Sequence, residues 1–241
     1  MDVIIDILGK TDGRDKLLKL ASGLAKIRAY GLGESSPEGK RFVDLGKSVA
    51  EGRSLVRFAK WIGNGSRLGT LVPQVVLALP FPPNDPELLG RLVATVGTTA
   101  CDAAYIVCDN VQYTMSKGFL PLGLVDDRAR WVNLGNKFLF FNFVFLVSLD
   151  IHQLSVMIRK MMKVQRDLAS SSVTPKQLLW QVLALIKNYC DLLVAFQASG
   201  YAGNSFKVSN GATGVLGSIS ASIALSEITK SFLESAAKKR S

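Results

Sequence analysis

The stretch that decides the fold runs from Lys40 to Ile62, KRFVDLGKSVAEGRSLVRFAKWI. At about 100° per residue, Phe42, Leu45, Val49, Val56 and Ala59 fall within an arc of about 100°, the pattern of a helix with one apolar side. Arg53, Arg57 and Lys60 sit together on the flank of that arc, and Phe58 and Trp61 widen it. Two fates fit this pattern. In one, the helix packs its apolar side on a core and keeps its charges in water. In the other it lies in the plane of a membrane, with apolar side chains between lipids and Arg/Lys at anionic headgroups. Gly46 and Gly52 lower its intrinsic helicity, in keeping with a helix completed on binding. Gly63-Asn64-Gly65 is expected to end it.

The flanking sequence is helical as well, and the fold class it predicts is all-α, a membrane-associated helical bundle. Residues 11–30 form a first helix, with Thr11 or Asp12 as cap and Asp15 in the first turn, where the helix dipole favours negative charge. A turn rich in Gly, Ser and Pro covers 31–39. An uncharged stretch from Leu68 to Asn84 carries Pro73, Pro80, Pro82 and Pro83, which argue against a clean membrane span there. Further helices are expected over 87–117, 126–165 and 175–197. The centre of the second of these, Phe138 to Leu149, is an uncharged run of twelve residues, short of the about twenty that a bilayer requires. Val208 to Ser226 is uncharged for nineteen residues and fits a span. Within it Gly214, Ser218, Ser222 and Ser226 recur at four-residue spacing, a small-residue face for close helix packing. Three regions follow: 1–67 as a cytosolic N-terminal region, 68–206 as a partly embedded helical core, and 207–241 as a membrane segment with a basic tail.

Composition agrees with a membrane partner. Hydrophobic residues make up 48% of the chain, mean hydropathy is +0.25, and 29 Lys/Arg against 19 Asp/Glu leave a net charge of +10. The basic residues are scattered between apolar positions, apart from the run Lys238-Lys239-Arg240. That patterning favours an anionic leaflet over nucleic acid. Three cysteines, one necessarily unpaired within the chain, point to a reducing compartment.

Catalytic chemistry finds little to work with. The single histidine, His152, has no nucleophile and oxyanion site legibly arranged around it. Cys101 and Cys108 share a helix face, but no second Cys or His pair completes a metal site, and no cofactor motif is present. The polar residues Asp102, Asp109 and Asn110 in an otherwise apolar helix form a solvent-facing stripe, or else hydrogen-bond a neighbouring helix or face an aqueous cavity.

Four segments, in order, resemble the family of peroxisomal biogenesis factor 11. They are Lys10-Thr11-Asp12-Gly13-Arg14-Asp15-Lys16, the basic-apolar Glu51 to Lys60, Tyr105 with Cys108-Asp109-Asn110-Val111, and the Gly/Ser-rich 211–226 before a basic tail. The resemblance implies a non-enzymatic protein of the peroxisomal membrane (the glycosomal membrane in a kinetoplastid-like lineage) with both termini towards the cytosol. It implies elongation and proliferation of the organelle through a membrane-bending amphipathic helix, a role that falls here on Phe42, Leu45, Val49, Arg53, Val56, Arg57, Ala59 and Lys60. It also implies anionic membrane lipids, self-association, a dynamin-related fission GTPase and its tail-anchored adaptor as partners. A rival reading is a metabolite channel or transporter, with Asp102, Asp109, Asp150 and His152 lining a path between helices. A blander one is a soluble helical adaptor.

Overall fold

The structure is a computed structural model that describes residues 2–79, 86–119, 128–167, 173–203 and 206–240. Among them are eight helices and no strand: α1 (Asp2–Gly9), α2 (Thr11–Gly31), α3 (Pro37–Val56), α4 (Lys60–Leu77), α5 (Pro86–Ser116), α6 (Arg128–Asp167), α7 (Pro175–Ala198) and α8 (Asn210–Arg240). Pro80, Pro82 and Pro83 of the proline-rich stretch, and Ser170 to Ser172 of the linker before α7, lie outside the described residues.

Local chemistry sets several helix starts. Ser36 caps α3 by accepting from the Gly39 N–H at 2.9 Å, with Pro37 in the first turn where its missing N–H does no harm. Thr174 and Gln177 form a reciprocal capping box on α7, again followed by proline. The backbone of Lys10 serves as the cap of α2 without a side-chain bond, so neither Thr11 nor Asp12 has the expected capping role.

The helices pack as a closed series. α4 lies on α5, α5 on α6, α6 on α7, α7 on α8, α8 on α2 and α2 on α3, and α3 returns to touch α5. The N-terminal region is therefore seated on the C-terminal helix, and the boundary drawn at 67/68 falls inside α4.

The interior is small and the exterior large. Buried apolar positions are mostly Ala25, Ala29, Cys108, Cys190, Ala195, Ala221 and Ala224, while Phe141, Ile151, Ile158, Leu179, Ile186 and Tyr189 of α6 and α7 are exposed. Helices that meet lipid pack through small residues in this way, since large aliphatic side chains gain nothing by turning inward. Among the described residues, four helices are long and apolar enough to cross a membrane: Glu87–Ser116, Arg128–Met162, Pro175–Ala198 and Asn210–Ser235. This corrects the expectation for Phe138 to Leu149. Asp150 ends the uncharged run but not the apolar helix, because its carboxylate is bonded by Asn188 at 2.7 Å and Gln181 at 3.2 Å on α7.

The stretch 40–62 is two helices, not one. α3 ends at Val56, and α4 begins at Lys60 after Ala59, whose φ of 62° is the left-handed region. Such a conformation disfavours a residue with a Cβ by about 1–2 kcal/mol, so the surrounding contacts must hold it. Nor does Gly63-Asn64-Gly65 stop α4, which runs through it and through Pro73 while packed on α5. Tertiary packing overrides both local signals.

Candidate functional site

Three surfaces carry the functional question: a buried ionic clasp, a small-residue seam and an outward apolar face. The clasp joins α2, α3 and α5. Asp15 of α2 is buried, with Arg53 Nε at 3.1 Å and Arg57 Nε at 3.5 Å. Burial alone would raise its carboxyl, but the charges of Arg53, Lys16 and Arg57 outweigh it and hold Asp15 well below the usual carboxylate range. Arg57 reaches across to α5, donating to Asp109 at 3.1 Å and to the Tyr105 hydroxyl at 3.0 Å, with its guanidinium over the Tyr105 ring. Burial opposes its charge, yet Tyr105, Asp109 and Asp15 raise its pKa further. Ser54 donates to Asp109 at 3.0 Å, Lys60 pairs with Asp12 at 2.7 Å, and Asn64 of α4 donates to Asp102 at 2.8 Å.

The family resemblance assigns Arg53, Arg57 and Lys60 to lipid headgroups, one of the two fates that the helical pattern leaves open. In this structure all three are paired with carboxylates of the chain itself. Phe42, Val49, Val56 and Ala59 are half-buried, and of the proposed apolar arc only Leu45 is fully exposed. The polar motif divides three ways. Asp102 and Asp109 bond neighbouring helices and do not form a solvent stripe. Cys108 is buried towards Gly135 of α6. Asn110 is buried with neither amide atom bonded among the described residues. The four groups of the transporter reading each bond a different residue: Asp102 bonds Asn64, Asp109 Arg57, Asp150 Asn188, and His152 Glu87 at 3.2 Å.

The seam joins α2 to α8. A Cβ on Gly23 would meet the Ser218 hydroxyl at 2.4 Å, and one on Gly214 would meet the Gly23 carbonyl at 2.7 Å, so the backbones touch because both residues lack a side chain. Beside it Lys19 pairs with Asp191 of α7 at 2.5 Å and donates to Ser220 at 2.8 Å. Burial pulls the Lys19 ammonium down to about 8, against the attraction of Asp191. Of the four residues spaced by four, Gly214 and Ser218 lie in this seam, whereas Ser222 and Ser226 are exposed. Each four-residue step advances about 40° beyond a full turn, so the line drifts off the contact. Ala221 and Ala224 are buried in its place.

The outward face belongs to α4. Trp61, Ile62, Val72 and Val76 are exposed and share an arc of about 100°. Ser66, Arg67, Thr70 and Gln74, also exposed, occupy a second arc, and the half-buried Asn64, Leu68, Leu71 and Val75 a third. No acidic residue occurs between Glu51 and Asp85. This face was missed because the glycines at 63 and 65 read as a stop.

These features define a class: an all-α protein with four membrane-capable helices, to which a polar clasp and a glycine seam hold a charged N-terminal hairpin. The family model described as Peroxisomal biogenesis factor 11 matches residues 1–229, and the chain belongs to that family. It is thereby a peroxisomal biogenesis factor of the peroxisomal membrane. No curated protein and no solved structure matches the chain.

Proposed function

We propose that this biogenesis factor remodels and elongates the peroxisomal membrane, promoting proliferation and fission, with α5–α8 as the anchor and α4 as the wedge. The observation that supports the wedge is the exposed apolar face of α4, Trp61, Ile62, Val72 and Val76, beside a polar face on a helix without acidic residues. A helix so divided lies shallowly in one leaflet, spreads the headgroups and bends the bilayer. The membrane-active surface thus shifts from the apolar arc of Phe42 to Ala59 to the helix that follows it. No catalytic step is needed. Self-association, and recruitment of a dynamin-related GTPase and its tail-anchored adaptor, belong to the proposal through the family resemblance, as do termini facing the cytosol.

Tubulation of anionic liposomes by the full chain tests this. Val72→Asp combined with Val76→Asp is expected to abolish tubules. Tubules as abundant as with the parent protein would sink the assignment to α4.

A further inference from the structure

Three observations are in tension. First, α5, α7 and α8 are each able to cross a membrane. Second, the groups that hold α2 and α3 lie within those same helices: Tyr105 and Asp109 on α5, Asp191 on α7, and Gly214, Ser218 and Ser220 on α8. Third, the outer side of α3 is charged, with Lys40, Arg41, Asp44, Lys47 and Glu51 exposed. If the membrane-capable helices cross the bilayer in the arrangement described here, that charged side is carried to bilayer depth, where ionisable groups are strongly disfavoured.

We infer that the structure is a clasped state, and that α1–α3 detach from α5, α7 and α8 when those helices cross the membrane. The inference rests on the reading of α5–α8 as the membrane anchor. The contacts suit release: they are ionic and small-residue contacts, and few large apolar side chains are buried between α2 and its partners. Detachment leaves Asp109 and Asp191 without Arg57 and Lys19, so another polar group or water must take the place of those partners. It also frees Arg57 from Asp109 and Tyr105 for anionic headgroups, while Asp15 keeps its hold on Arg53 within the hairpin. α4 stays on α5, where Asn64 bonds Asp102, and loses only the pairing of its first residue, Lys60, with Asp12 of α2.

A disulfide across the seam tests this. A Cβ on Gly214 would lie 3.0 Å from the Cβ of Lys26, within reach of a bridge once α8 backs away from the Gly23 carbonyl, which that Cβ would otherwise meet at 2.7 Å. The full chain carrying Lys26→Cys and Gly214→Cys, with Cys101, Cys108 and Cys190 replaced by Ala, is offered to liposomes oxidised and reduced, then washed with alkaline carbonate. The reduced protein should stay in the pellet. The oxidised protein should wash off, with the pellet-to-supernatant ratio lower by about tenfold or more, since one stranded charge exceeds that penalty. Equal retention of both forms would overturn the clasp while leaving the anchor intact. A reduced form that also washes off would overturn the anchor and the clasp with it. A second pair, Ala25→Cys with Gly46→Cys, bridges α2 to α3 where the Cβ atoms would be 3.7 Å apart. It should not alter retention, because the hairpin detaches as a unit; wash-off of this form on oxidation would also overturn the clasp.

Discussion

α3 and α4 arise from one run of amphipathic sequence, yet they turn their apolar sides in opposite directions. α3 half-buries Phe42, Val49 and Val56 and presents charges outward, while its Arg53 and Arg57 point inward to Asp15 and Asp109. α4 presents Trp61, Ile62, Val72 and Val76 outward and gives α5 its remaining side. A helical hydrophobic pattern reports that one side is apolar; it does not report what that side meets. The deciding information is the location of the counter-charges, and for α3 these lie 38 and 52 positions away in sequence.

The comparison can be broken most forcefully at the clasp. Asp15→Ala leaves two part-buried guanidinium groups short of a carboxylate and should destabilise the detergent-solubilised protein by about 3 kcal/mol. Denaturant unfolding followed by circular dichroism checks this. A loss below about 1 kcal/mol would mean that α3 is held by something other than its charges.

Aspartate scanning sharpens the contrast. Val49→Asp, half-buried on α3, should lower stability by about 1–3 kcal/mol. Val76→Asp, exposed on α4, should change it by no more than about 0.5 kcal/mol while reducing liposome binding. The reverse order would exchange the roles of the two helices.

Acid is a milder probe. Asp15 is held below the ordinary carboxylate range, so its stabilising share is complete above about pH 4 and is lost as the pH falls below that. Amide hydrogen exchange in micelles should show α3 opening ahead of α6 on acidification. Simultaneous opening of the two would argue against a local clasp.

A modest gain in stability, the one change of opposite sign, is expected at the junction. Ala59→Gly removes the strain of a left-handed alanine and should raise stability by about 1 kcal/mol, read as a higher thermal midpoint.

Much of this was legible from residues alone. The Gly/Ser/Pro turn before Lys40 places the start of α3 to within a turn, the helix expected over 175–197 matches α7, and those expected over 11–30 and 87–117 match α2 and α5. Local glycines misled twice. Gly63 and Gly65 hid α4, whose continuity comes from packing on α5 and the Asn64–Asp102 bond. The four-residue small line in α8 was followed too literally, since 3.6 residues make a turn. Asp15 was read as a dipole residue, and nothing near it in sequence announces Arg53 or Arg57. The available signal was the basic-apolar Glu51 to Lys60 itself, whose arginines demand carboxylates wherever they are buried.

The seam between α2 and α8 also sets a timetable. Lys19 and Ser220 are 201 positions apart. At 5–20 residues per second, α2 exists for about 10–40 s before the ribosome has made its partner. Through that interval the newborn hairpin, with its arginines and Trp61, is left to chaperones or to whatever anionic surface is nearest. When α8 finally emerges, docking to α2 and entry into the bilayer compete for the same helix. The choice between the two forms is thus first faced during synthesis.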